Sequence, residues 1–307
     1  MSEAAASSPA DRVSTAVDGV AVLGALSPSR AGDFLACPLL YRYRTIDRLP
    51  EAPSPDAVRG TVVHKVLEDL FDLPAADRTP DRAAAMLGPA WETIAEADPT
   101  LAGMFGEEGP DVATWLASCR TVLARYFDLE DPRRLEPAAR ELYVETLLDS
   151  RLLLRGFVDR VDVAPDGRIR VVDYKSGRSP APGYEAKALF QMKFYALVLW
   201  RLRGVLPSVL QLVYLGNGEI LRYEPDAADL RATERKVEAV WAAIRLAQQT
   251  GEWRPSPSRL CDWCSFHAHC PAKGGTLLPM PDPATDPGRD LSPDLSPDLS
   301  PDLSPDP

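Results

Sequence analysis

From residue 141 onward the spacing of apolar residues changes, and that change constrains the fold more than any other feature of the chain. Upstream, GTVVHKVLEDLFD (60–72) places apolar residues at 63, 66, 67, 70 and 71, the spacing of a helix. A shorter helix is expected within 28–45, and residues 80–128 continue as helices with Gly-Pro breaks at 88–89 and 109–110. Then ELYVETLLD (141–149), RLLLRGFVDRVDVA (151–164) and RIRVVDYKSG (168–177) read as three consecutive strands, the last two joined by the turn signal Pro165-Asp166-Gly167. An apolar helix (184–203), two more strands (208–216 and 219–224) and a long amphipathic helix (226–250) follow. The expectation is an α/β or α+β fold: one domain, a central sheet flanked by helices, and a helical insertion at 72–135.

The ends read differently. Residues 1–25 show no strong periodicity and are expected to be a disordered lead. The last stretch repeats Asp-Leu-Ser-Pro without aromatic residues, so 279–307 cannot bury a core and is expected to be a disordered tail. The domain between them spans 26–278. ALVLWRLRGVLPSVL is broken by Arg201 and Arg203, and no uninterrupted apolar stretch is long enough to span a bilayer. With no basic start followed by an apolar run, a soluble cytoplasmic protein with no membrane partner is expected.

Net charge is −11, but 279–307 holds seven Asp and one Arg, which leaves −5 for the remainder. Residues 27–48 interleave Arg30, Arg42, Arg44 and Arg48 with Tyr41 and Tyr43, a modest patch of the kind that meets nucleic acid.

VVDYKSG (171–177) places Asp173 and Lys175 two apart. With six Lys and 45 acids in 307 residues, chance supplies about one acid-x-Lys, and the chain has three. Glu185-x-Lys187 and Glu234-x-Lys236 fall on expected helices, where i and i+2 point apart; only Asp173 and Lys175 share the face of a strand. One hairpin back, GFVDRVD (156–162) sets Asp159 between Val158 and Val161. A buried carboxylate needs a partner, since desolvating an unpaired charge costs several kcal/mol. The bland reading is an ion pair, Asp173–Lys175 or Asp159–Arg170. The alternative is a hard-cation site of two carboxylates, Mg²⁺ or Mn²⁺, with Lys175 beside the attacking water and the scissile phosphate.

CDWCSFHAHC (261–270) holds Cys261, Cys264 and Cys270, and Cys37 in FLACPLLYRYR is the natural fourth thiol. Thiolates this close point to a soft metal, either an iron–sulfur cluster or a tetrahedral zinc that could enlist His267 or His269; spacing leaves both open. Cys119 lies at helical spacing with Trp115, Leu116 and Val122 and reads as a core thiol.

Taken jointly, GFVDRVD, VVDYKSG, the QMKFY of 191–195 and the upstream GTVVHKVLE resemble the RecB-type nucleases of the PD-(D/E)XK superfamily over roughly residues 26–275. The resemblance implies a restriction-endonuclease-like core and a metal-dependent DNA nuclease, an exonuclease acting in repair or recombination. It makes His64, Asp159 and Asp173 metal ligands, with the Tyr174 carbonyl a further one, and Lys175 the catalytic lysine. Gln191 and Tyr195 would border the active site from one helix face. Glu68 and Glu145 are further acidic candidates. The same resemblance implies a [4Fe–4S] cluster on Cys37, Cys261, Cys264 and Cys270, stapling the two ends of the domain, with zinc as the alternative. The chain has no G-x-x-x-x-G-K-[ST], so a motor would come from a helicase partner. The competing expectation is a non-catalytic module that binds DNA through the Arg/Tyr segment and hands it to that helicase.

Overall fold

The strands expected from residue 141 onward join one six-stranded sheet. The computed structural model describes residues 16–17, 20–105, 111–181 and 183–281. Strands β1 (Ala16–Val17) and β2 (Val20–Ala21) pair with each other. The main sheet holds β3 (Gly24–Leu26), β4 (Ala139–Leu147), β5 (Leu152–Val163), β6 (Ile169–Lys175), β7 (Val209–Tyr214) and β8 (Glu219–Tyr223). Its order is β3-β5-β6-β7-β8, with β4 also on β5. The β3–β5 and β6–β7 pairs are parallel and the others antiparallel, so the sheet is mixed.

Strand β5 organises the sheet. Strand β4 takes one of its edges, opposite Leu153 to Val161. Strands β3, opposite Leu152–Leu154, and β6, opposite Arg160–Val163, share the other. Residues 155–159 therefore have no strand beside them on that edge, and the sheet has a notch in its middle.

Each face of the sheet carries a helical layer. Helices α1 (Pro28–Ala36), α6 (Ala186–Arg203) and α7 (Ala227–Thr250) cover one face, where Leu154, Val158, Val161, Val171, Leu210 and Leu212 meet Phe194, Leu197 and Val240. Helices α3 (Pro55–Leu70), α4 (Pro80–Ala97) and α5 (Val112–Leu129) cover the other, around Val172, Tyr174, Val213 and Leu215. Ser54 starts α3 by accepting the Ala57 N–H, and Pro55 sits at its first position, where no N–H is needed. Its apolar stripe, Val62, Val63, Val66, Leu67 and Leu70, is buried.

Four sequence expectations are corrected. The chain enters the main sheet at Gly24, before the expected boundary at 26, because Leu26 is wholly buried beside β5. Helix α4 runs through Pro89 without the expected break, with Leu87 and Ala90 buried on either side; Gly109-Pro110 and the tail from 282 lie outside the described residues. The tail also begins later than 279, since Arg42 donates to the carbonyls of Leu278 and Pro279. Finally, the Arg/Tyr segment is no open nucleic-acid patch. After the short helix α2 (Pro38–Tyr41), Arg42 and Tyr43 are each 1% exposed; Arg42 also pairs with Asp47 and the Tyr43 hydroxyl donates to the His269 carbonyl. Arg44 is bound to Asp33 and Glu51. These side chains tie the start of the domain to its end. Among the described residues, no helix is long and apolar enough to cross a membrane.

Candidate active site

The notch in the sheet gathers the expected site residues. Regular alternation would put every second residue of β5 on one face, yet Val158 and Val161, three apart, both join the core under α6. On β4 Ala139 and Leu142 do the same. Both strands thus switch faces at one place. Printed register on either side, Arg140 opposite Arg160 and Leu142 opposite Val158, sets Glu141 across from Asp159 at that switch. Glu141 takes a φ of 40°, a left-handed conformation that a non-glycine residue adopts at a cost. Like charges facing across a strand pair are also unfavourable. Two penalties at one position call for something that offsets them.

The β5–β6 ladder ends beside this switch, at Arg160 opposite Val172. The next inward donor, the Tyr174 N–H, is taken by Asp159 Oδ2 at 2.7 Å. From α3, His64 places Nε2 2.8 Å from the Tyr174 carbonyl. A carbonyl can only accept, so Nε2 carries the hydrogen, and in the neutral ring Nδ1 presents a lone pair. That Nδ1 lies 3.5 Å from Asp159 Oδ2. Ligand atoms of His64, Glu141 and Asp159 all fall within 4.8 Å of one another. They line a narrow cleft with Glu68, Arg140, Arg160 and Tyr174.

On the other face of β6, Lys175 Nζ lies 3.0 Å from Asp173 Oδ2 and donates to Gln191 Oε1 at 2.9 Å. Apart from this ion pair, that buried oxygen has no hydrogen-bond partner among the described residues. Gln191 Nε2 reaches Asp173 Oδ1 at 3.2 Å. The amide of Gln191 thus locks acid and ammonium in one plane. Tyr195, one turn along α6, is buried and hydrogen-bonded to Gln191; burial and the Asp173 charge hold its phenol above the ordinary range. A Cβ on Gly156 would sit 2.8 Å from Tyr195 Cε1, so the glycine of GFVD is the space in which the tyrosine lies.

Electrostatics agree with the geometry. Burial pushes Asp173 up to about 7; Lys175 opposes the rise and Asp159 adds to it. Glu141 is likewise pushed up to about 7 by burial and then by Asp159. Carboxylates this crowded retain protons to near neutrality in place of a cation. An imidazole lone pair and oxygen donors on one side, with an ammonium held back by an amide on the other, fit a hard divalent ion.

Of the sequence candidates, His64, Asp159, Tyr174, Asp173, Lys175, Gln191 and Tyr195 thus meet in one place. Glu145 does not join them: it accepts from the Tyr143 hydroxyl and lies opposite Arg155. Glu68 lines the cleft, but its bond is to Lys65 rather than His64. Arg170 pairs with Asp162 at 2.8 Å, not with Asp159. Glu141 was missed. Its signal lay in the register, since folding the hairpin about Ser150 sets residue 141 opposite 159.

The four cysteines converge at the other end of the domain. Cys37 ends α1, and Cys264 feels the charges of Cys261, Cys270 and Cys37, which together with burial push its thiol up. Ser256 N–H points at Cys37 Sγ (3.4 Å) and Ser258 N–H at Cys261 Sγ (3.3 Å). His267 Nε2 is engaged by the Cys261 carbonyl. Cys119 stands apart, buried in the α3–α5 layer, where burial pushes its thiol up to about 11.

A protein with this mixed sheet and this cluster of acids, histidine and lysine has the features of a nuclease core. The sequence matches the model of the PD-(D/E)XK nuclease superfamily over residues 25–271, and the chain belongs to that superfamily. It is 29% identical over 204 residues to the Gene 69 protein of Mycobacterium phage D29, covering 58% of this chain and 70% of that protein. A crystal structure from Eubacterium rectale named "Putative exonuclease" shares the fold at a TM-score of 0.52 and 14% identity, covering 85% of this chain and 91% of that one.

Proposed function

We propose that this chain is a divalent-metal-dependent DNA nuclease of the RecB-type branch that hydrolyses phosphodiester bonds in repair or recombination. The observation that carries the reading is the closure of His64, Glu141 and Asp159 to within 4.8 Å of one another, beside the Asp173–Lys175–Gln191 triad. His64, Asp159 and Asp173, joined by Glu141, would hold Mg²⁺ or Mn²⁺; such an ion polarises the phosphoryl oxygen and offsets charge in the transition state. Gln191 holds Lys175 beside Asp173, where its ammonium would meet the charge that builds on the scissile phosphate. Tyr195, buried one turn along α6, would pack beside Gln191. The exonuclease reading takes its cue from the name borne by the Eubacterium rectale protein.

For Cys37, Cys261, Cys264 and Cys270 we propose a [4Fe–4S] cluster with a structural role. What supports one shared centre is that Cys264 feels the charges of Cys261, Cys270 and Cys37; zinc is the alternative occupant. The non-catalytic alternative is weakened, because Tyr41, Arg42 and Tyr43 of the Arg/Tyr segment it relied on are buried and Arg44 is paired. A helicase would supply any motor activity.

The test is an anaerobic preparation assayed on labelled single- and double-stranded DNA with Mg²⁺, Mn²⁺ or chelator. Expected are cleavage with either metal, none with chelator, and none from a folded Lys175→Ala variant; wild-type cleavage by that variant would remove the mechanism. A brown protein absorbing near ~400 nm supports the cluster, and a colourless one with stoichiometric zinc replaces it.

A further inference from the structure

We propose that the buried Glu130–Arg160 pair is a positioning device for the metal site, acting through the side chain of Tyr174; this rests on the metal-dependent reading above. Tyr174 is the residue between the acid and the lysine, and its backbone serves both neighbours of the cleft. Its N–H holds Asp159 Oδ2 at 2.7 Å and its carbonyl holds His64 Nε2 at 2.8 Å. Whatever fixes the tilt of these two peptide groups fixes two candidate ligands at once.

The tilt is fixed from the α3 side of the sheet, where Tyr174 and Arg160 line the same cleft as His64. The Tyr174 side chain is 4% exposed, lies edge-on to the rings of His64 and Tyr126, and accepts at its hydroxyl from Arg160 Nη1. Arg160 is itself immobilised. Its Nη1 and Nη2 fork onto Glu130 at 2.8 and 3.0 Å, and its Nε faces Asp162 at 3.1 Å. The guanidinium sits 5.5 Å from the centre of the Tyr174 ring and 5.9 Å from that of Phe71. Glu130 is the C-cap of α5 and also accepts from Gln211 Nε2 at 2.9 Å. The chain of contacts therefore runs from the end of α5, through Glu130, Arg160 and the Tyr174 hydroxyl, to Asp159 and His64.

Stability alone is a poor account of this arrangement, because a buried ion pair is often no better than apolar residues of the same volume. Groups that orient metal ligands have a sharper effect, typically 10- to 100-fold in metal affinity when removed. By this route α5, which the sequence read as part of an insertion at 72–135, sets the metal site.

Replacing Arg160 outright leaves Glu130 buried and unpaired and endangers the fold. Tyr174→Phe deletes only the hydroxyl, and Arg160 Nη1 keeps Glu130 as its partner. Mn²⁺ binding to wild type, Tyr174→Phe and Glu130→Gln is measured by calorimetry without DNA, alongside chemical denaturation and kcat and KM. Arg44→Ala, whose partners Asp33 and Glu51 lie outside the network, serves as the destabilised control. Expected are Mn²⁺ affinities at least about 10-fold weaker in both network variants, with kcat reduced and KM for DNA held, while Arg44→Ala binds Mn²⁺ as wild type does. Folded network variants with affinities within twofold of wild type would overturn the proposal, as would an equal loss in Arg44→Ala. A wild type that neither binds Mn²⁺ nor cleaves DNA would instead overturn the metal-dependent reading beneath it.

Discussion

Strands β5 and β6 carry aspartate at each end of their ladder, and the two ends are built in opposite ways. At the hairpin end, Asp162 lies directly across from Arg170 and also meets Arg160, so one carboxylate faces two guanidinium groups. At the far end, where the strands part, Glu141, Asp159 and Asp173 share His64 and Lys175. The first end is self-neutralised and largely buried. The second holds more buried acid than its bases balance, which costs stability unless a cation enters. Acid outnumbers base at one end and is outnumbered at the other, and this pairing separates a structural ion pair from the proposed metal site.

The comparison can be broken most directly by removing acid at the open end. Asp159→Asn is expected to lower the rate of Mn²⁺-dependent cleavage by about 10²–10⁴-fold with native circular dichroism retained, and Lys175→Ala by a similar factor. Cleavage by Asp159→Asn within tenfold of wild type would erase the distinction between the ends.

Next in size is the notch itself. Gly156→Ala drives a methyl against the Tyr195 ring, an overpacking cost of about 1–3 kcal/mol. Loss of cleavage should follow as Gln191 shifts, and Tyr195→Leu added to Gly156→Ala should recover part of the stability in urea unfolding.

A pH series sharpens the electrostatic side. Asp173 and Glu141 hold their protons to about 7 in the folded chain, above the ordinary values of 3.8 and 4.5. Between those values the folded state binds more protons than the unfolded one, so metal-free stability falls as pH rises from about 4 to 7. The increase in Tm on adding Mn²⁺ should therefore be larger at pH 8 than at pH 5.5, and Asp173→Asn should flatten the metal-free decline. A metal-free Tm that rises across this window would contradict the crowding described at the open end.

The smallest effect belongs to the closed end. Arg170→Ala removes one half-exposed ion pair and should cost no more than about 1 kcal/mol while leaving cleavage within twofold.

Much of the open end was legible in the chain. The i, i+2 pairing of Asp173 and Lys175 on a strand, and the i, i+4 pairing of Gln191 and Tyr195 on a helix, follow from backbone period and need no tertiary information. The burial of the Arg/Tyr segment was not legible. Arginine and tyrosine serve equally well on a nucleic-acid surface and in an interior where their donors are all met, and composition cannot tell the two apart. Arg42 is an interior residue because Leu278 and Pro279, more than two hundred residues away, supply the carbonyls it needs.

By itself, then, the sequence determined the period of each element, and with it which pairs of side chains share a face. Local stereochemistry is enough for that. Tertiary structure alone decided which faces meet. Glu141 entered the site because both hairpin strands switch faces at one register position, and Asp159 turned to the Tyr174 N–H because β6 leaves β5 after Val172. A notch between two strands sharing one edge is a property of the whole sheet, and no short stretch of residues encodes it.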